Sequence, residues 1–118
     1  NLFNWSKRKS TVIHKTVELV GLSDKINEPI RRLSGGQQRR VATARAIAQQ
    51  PELILADEFL SELDKENADS IIKLMREFVA DNQCGMLLVE HHLERAKQIA
   101  DRIIDLSEFE VYSVKESE

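Results

Sequence analysis

Apolar positions along the chain change their period several times, and each change marks an element. Between Thr11 and Val20, the residues Ile13, Val17 and Val20 fall on one helical face, and Gly21 follows as a stop signal. Ser23 to Arg32 is polar and holds Pro29, which predicts a loop or a broken helix. Ser34 has the chemistry of an N-cap for a helix running to Gln49, closed by Pro51. Leu53-Ile54-Leu55-Ala56 is a continuous apolar run, the pattern of a strand buried on both faces. Ala68, Ile71, Ile72, Met75, Phe78 and Val79 keep helical spacing and predict a long helix from Lys65 to Ala80. Met86 to Val89 is a second buried strand, opened by Gly85, and Leu93 to Ala100 a short helix. Arg102 to Leu106 reads as a third strand and Phe109 to Val114 as a last edge strand. Strands alternating with helices predict an α/β protein with a mainly parallel sheet.

Composition narrows the class. A chain of 118 residues, 42% hydrophobic and 31% charged, has the balance of a folded domain, or part of a larger one. A formal net charge of −3 argues against a nucleic-acid partner, whose binding surface is usually basic. The single cysteine, Cys84, has no internal disulfide partner and fits a reducing compartment. No apolar run approaches membrane-spanning length. Asn1 to Lys9 lack the apolar stretch of a secretion signal and an initiator methionine, so we expect the chain to begin within a longer protein.

Three stretches carry chemistry. Adjacent glycines in Leu33-Ser34-Gly35-Gly36-Gln37 are costly at a helix start, and a flexible loop would account for them. They also make an anion site, because the first amides of a helix point outward unpaired and its dipole favours negative charge there. The Ser34 hydroxyl adds a donor. The second stretch is Asp57-Glu58, at the end of an apolar strand. Paired carboxylates there repel each other and suit a Mg²⁺-phosphate site better than a core. Asp57 would hold the metal through water, and Glu58 would orient or deprotonate an attacking water. An acidic helix start is the bland alternative. The third is His91, which follows the second strand and would stand beside those carboxylates as a hydrogen-bond donor. His14 and His92 read as surface residues, and no cluster has the spacing of a metal site.

In this order the motifs resemble the ABC ATPase family. Leu33 to Gln37 is similar to the signature motif, and Arg39 to Ala46 to its helix. Gln50 to Glu58 resembles the Walker B strand, Ser61-Glu62-Leu63-Asp64 the D-loop and His91 the switch histidine. The resemblance implies part of a P-loop NTPase fold of α/β class. Residues 1–33 would be the remainder of the helical subdomain, and residues 34–118 the C-terminal part of the ATPase core. It implies ATP and Mg²⁺ as ligands, with Asp57 serving the metal and Glu58 and His91 catalysis at the subunit's own nucleotide. Ser34, Gly35, Gly36 and Gln37 would contact ATP held by a second ATPase subunit, with Asp64 near that interface. Membrane-spanning permease subunits are the other implied partners, at the cytoplasmic face of a bacterial membrane.

The leading Leu2-Phe3 and the wording around Val20-Gly21-Leu22, Gln49-Gln50-Pro51 and Ile54 to Glu58 are similar to phosphonate importers, though lipoprotein-releasing and cell-division ATPases share Leu-Ala-Asp-Glu. The chain departs from the family in holding no Gly-x-x-x-x-Gly-Lys-Ser/Thr loop. Phe59-Leu60 stands where Pro-Thr is usual, Glu62 where a small residue is common and Glu90 in place of Thr or Ser. Two further readings are a non-catalytic interaction module and the head lobe of a chromosome-maintenance ATPase. The latter calls for a heptad-rich arm before Leu33 that is not seen.

Overall fold

The computed structural model describes residues 2–114, with side chains from residue 10 onward. Helix α1 (Leu2–Leu19) starts well before Thr11. Ser6-Lys7-Arg8-Lys9 gives no apolar period, yet it contains neither Gly nor Pro and its Lys and Arg are good helix formers. Gly21 ends the helix at φ +71°, a left-handed conformation that glycine adopts without a Cβ penalty. Gly21 N–H donates to Glu18 O at 2.9 Å and Leu22 N–H to Val17 O at 3.0 Å, a Schellman closure. The expected loop holds two 3₁₀ turns, Ser23–Lys25 and Ile30–Arg32.

Helix α2 (Gly35–Ala48) leads into strand β1 (Leu53–Asp57), helix α3 (Lys65–Asn82) and strand β2 (Gly85–Val89). The two strands pair in parallel, in register from Leu53 opposite Gly85 to Asp57 opposite Val89, so α3 is the crossover of a βαβ unit. Helix α4 (Leu93–Ile99) follows, then strands β3 (Arg102–Asp105) and β4 (Glu110–Ser113). The last two do not extend the parallel sheet. They form an antiparallel hairpin of their own, with Ile103 opposite Tyr112.

The core lies between α3 and one face of the β1–β2 pair. Ala68, Ile71, Ile72, Met75 and Phe78 from α3 meet Ile54 and Ala56, joined by Val20, Leu22 and Ile47. Arg40 of α2 ties the helices together. Its Nη1 donates to Val20 O at 3.1 Å and its Nη2 to Ser70 Oγ at 2.6 Å.

Burial of β1 and β2 on both faces is not what the chain adopts. Exposure alternates, with Leu55 72% and Leu87 60% exposed while Ile54 and Ala56 are buried. The reason is that α3 covers one face and no described element covers the other. The apolar residues of the open face, Leu53, Leu55, Leu87 and Val89, therefore stand exposed among the described residues.

Leu60 is 0% exposed, the most buried large side chain of the core. The departure Phe59-Leu60 therefore places a packing residue just beyond β1. Leu60→Ala is expected to cost about 2–5 kcal/mol through lost burial and a residual cavity. A denaturant titration of a complete subunit carrying this sequence checks it, and a loss under about 1 kcal/mol would contradict the packing role.

Candidate functional site

The site is built at the C-terminal ends of β1 and β2. Because Asp57 pairs with Val89, the residues that follow each strand leave the sheet side by side. Glu58 N–H donates to Val89 O at 2.9 Å, the last rung between the two segments. Glu58 has φ +49°, in the left-handed region that non-glycine residues rarely occupy. Strain of this kind gathers at functional positions and persists only where the surroundings enforce it. The turn sends the Glu58 side chain toward β2, where His91 Nε2 donates to its Oε1 at 2.5 Å. Both side chains stay accessible, 47% for Glu58 and 72% for His91. Asp57 is exposed at the strand end.

A cleft of about 300 Å³ opens beside the pair, lined further by Ser61, Glu62, Leu63, Glu90, His92 and Arg95. Arg95 Nη1 donates to Leu60 O at 3.3 Å, holding α4 against the turn after β1. Glu90, the residue in place of Thr or Ser, turns toward α4 instead of standing free. Its Oε1 accepts the His92 N–H at 3.0 Å. His92 and His14 are both exposed, and His14 Nδ1 pairs with Ser10 O of its own helix at 2.8 Å.

A second cluster forms where α2 and α3 begin. Ser34 caps α2 through a capping box. Its hydroxyl accepts the Gln37 N–H at 3.2 Å while its own N–H donates to Gln37 Oε1 at 3.0 Å. Accepting this bond leaves the Ser34 hydroxyl proton free to donate elsewhere. Asp64 caps α3, its Oδ1 accepting the Asn67 N–H at 2.8 Å. The Asn67 amide turns back to the same carboxylate, donating at 3.1 Å to Oδ1 and 3.0 Å to Oδ2. These bonds, the backbone one foremost, hold the Asp64 carboxyl below its ordinary pKa. Asn67 was not anticipated from sequence, although Asp-x-x-Asn has the spacing of a capping box. The structure thus sorts the expected residues into two groups, with Asp57, Glu58 and His91 in one and Ser34, Gly35, Gly36, Gln37 and Asp64 in the other.

The donor set bears on which ligands fit. Among the described residues, no group of three or more His, Cys, Asp or Glu could hold a metal ion. Asp57 alone suits Mg²⁺ arriving with a nucleotide, because that ion is commonly held by one or two carboxylates, water and substrate phosphates.

The likeness of its fold to solved ATP-binding cassettes places the chain in the P-loop NTPase class, as a partial ABC-type fold with a glycine-led capped helix, a βαβ unit and an acidic pair at the end of β1. The chain belongs to the ABC transporter family, whose sequence pattern matches residues 2–61. It is 43% identical over 94 residues to the methionine import ATP-binding protein MetN of Brucella abortus, covering 80% of this chain and 26% of that protein. With the phosphite import ATP-binding protein PxtA of Stutzerimonas stutzeri it shares 35% identity over 111 residues, 94% of this chain and 40% of the relative. Identity to the phosphonates import ATP-binding protein PhnC 2 of Cupriavidus metallidurans is 39% over 106 residues, 90% and 38% of the two chains. The chain therefore spans between 26% and 40% of these relatives' lengths. Among solved structures, the ATP-binding cassette MJ1267 in its ADP conformation superposes with TM-score 0.73 at 26% identity, over 80% of this chain and 37% of that one. An inward-facing putative metal-chelate type ABC transporter gives TM-score 0.70 at 30% identity, over 78% and 37%.

Proposed function

We propose that this chain is the signature-to-switch part of an ATP-hydrolysing subunit that drives solute import, with residues 1–33 from the helical subdomain and 34–118 from the ATPase core. The observation that carries the reading is the Glu58–His91 hydrogen bond across the ends of two parallel strands. Glu58 acts as general base toward the attacking water. With Oε1 engaged by His91, Oε2 remains free to take the proton. His91 fixes the carboxylate and presents an imidazole to the same cleft. Mg²⁺, when bound with ATP, supplies positive charge to the phosphates, and Asp57 is its protein carboxylate, through water.

Ser34, Gly35, Gly36 and Gln37, with Asp64, serve the nucleotide of a second ATPase subunit. The capped helix start aims unpaired amides and a free hydroxyl proton outward, where an anion is favoured. Membrane-spanning permeases are the remaining partners in this reading, with the complex at the cytoplasmic face of a bacterial membrane. Among the described residues no helix is long and apolar enough to cross one. Phosphonate or a related oxyanion is the cargo we favour, on the likeness to the phosphonate and phosphite import proteins.

Gly35→Asp tests the trans role. A Cβ at Gly35 meets nothing within 4 Å, so a side chain there starts without a clash inside the chain. The new carboxylate would face the partner's phosphates, and like charges in close approach are costly. In mixed dimers, hydrolysis is expected to fail at the nucleotide held by the unmodified subunit. Loss confined to the modified subunit's own nucleotide would overturn the assignment.

A further inference from the structure

The two adjacent glycines of the signature turn face different surroundings. A Cβ on Gly35 would enter open space. A Cβ on Gly36 would stand 2.6 Å from Asn67 Oδ1, 2.7 Å from its Cγ and 2.9 Å from its Nδ2, closer than non-bonded atoms approach. A flexible side chain could swing aside, but this one is held. Its amide donates to both oxygens of Asp64 while its backbone N–H binds Oδ1. Asn67 therefore lies between two features of the sequence, with Asp64 bound on one side and the backbone of Gly36 packed on the other.

We infer that Asn67 is a positioning residue that sets the signature turn against Asp64, and that Gly36 is glycine because Asn67 occupies the space of its side chain. The glycine at 35 answers to what approaches from outside the chain, and the glycine at 36 to a neighbour within it. Movement of the turn before α3 is transmitted through Asn67 to the start of α2. The backbone at Gly36, in the first turn of α2, is thereby set by the same side chain that binds Asp64. This deepens the proposed function, since it rests on the signature turn acting on a second subunit's nucleotide.

The test is a double-substitution cycle in a complete subunit carrying this sequence. Asn67→Ala removes the amide and frees the signature turn. It is expected to raise the KM for ATP about fivefold with kcat within about twofold, roughly 1 kcal/mol of lost positioning. A purely structural capping role for Asn67 would lower the unfolding temperature and leave KM where it was. Gly36→Ala is expected to weaken ATP-driven dimerisation in the wild-type background and to add nothing once Asn67→Ala has opened the space. Two results would overturn the inference: an unchanged KM in Asn67→Ala, or an equal Gly36→Ala effect in both backgrounds. Failure of the underlying reading is seen separately. If Gly35→Asp in mixed dimers spares the other subunit's nucleotide, the trans assignment falls, while non-additivity of Gly36→Ala and Asn67→Ala in the nucleotide-free unfolding midpoint still reports the packing contact.

Discussion

Glu58→Gln in a complete subunit carrying this sequence is expected to lower ATP turnover by about 10²–10⁴-fold, the usual contribution of a positioned general base. The amide keeps the shape of the carboxylate and can still accept from His91, so the turn after β1 should hold. The Glu58 N–H bond to Val89 O involves only backbone and is untouched. What is lost is the capacity to take a proton from water. Nucleotide binding should persist, and dimers closed on ATP should accumulate. His91→Ala should reduce turnover in the same direction, because it removes the donor that fixes Oε1 at 2.5 Å. His92→Ala should not, since its bond to Glu90 is made by the backbone N–H, which alanine retains. Steady-state hydrolysis with a nucleotide-binding control is the measurement. Wild-type turnover in Glu58→Gln, or equal loss from both histidines, would sink the assignment.

The 118-residue chain on its own is expected to bind no Mg-ATP measurably. A triphosphate needs a nest of amides and a lysine of the Gly-x-x-x-x-Gly-Lys kind, and this sequence contains none. Asp57 and Glu58 would repel the phosphates without that positive counterpart. The chain should also self-associate. Leu53, Leu55, Leu87 and Val89, 49% to 72% exposed, form an apolar strip on the open face of β1 and β2. Replacing Leu55 and Leu87 by Lys should raise the soluble fraction and leave Mg-ATP binding absent. Calorimetric titration of the chain decides the first point and sedimentation the second. Saturable micromolar binding abolished by Asp57→Ala would show that this segment suffices for the nucleotide.

Much of the site could be read from residue order alone. The apolar strand ending in Asp57-Glu58 and the second strand ending before His91 put the candidate groups at strand ends, where the structure brings Glu58 and His91 together, because such ends open onto clefts in α/β sheets. Ser34 as a helix cap followed from local chemistry, and its capping box with Gln37 involves residues three apart. The Glu58 backbone conformation had no sequence signal, since the side chain itself does not favour left-handed φ. The pairing that brings His91 to Glu58 lies 33 positions apart and depends on the register of β1 against β2.

The sequence by itself determined most of the elements, their α/β order, the Ser34 helix cap and the identity of the groups that carry charge, but not the early start of α1 or the Asp64 cap of α3. What it determined follows from local periodicity and from hydrogen bonds spanning a few residues. It also marked β1 and β2 as apolar throughout, which says what the strands can bury and not what covers them. Only the tertiary structure decided that one face is covered by α3 and the other open. It also decided that β3 and β4 pair apart from the parallel sheet, and that Asn67 stands between Asp64 and Gly36. The covering of one face by α3 and the approach of Asn67 to Gly36 join segments distant along the chain and are set by packing, while the β3–β4 hairpin closes over a short turn whose residues did not announce it.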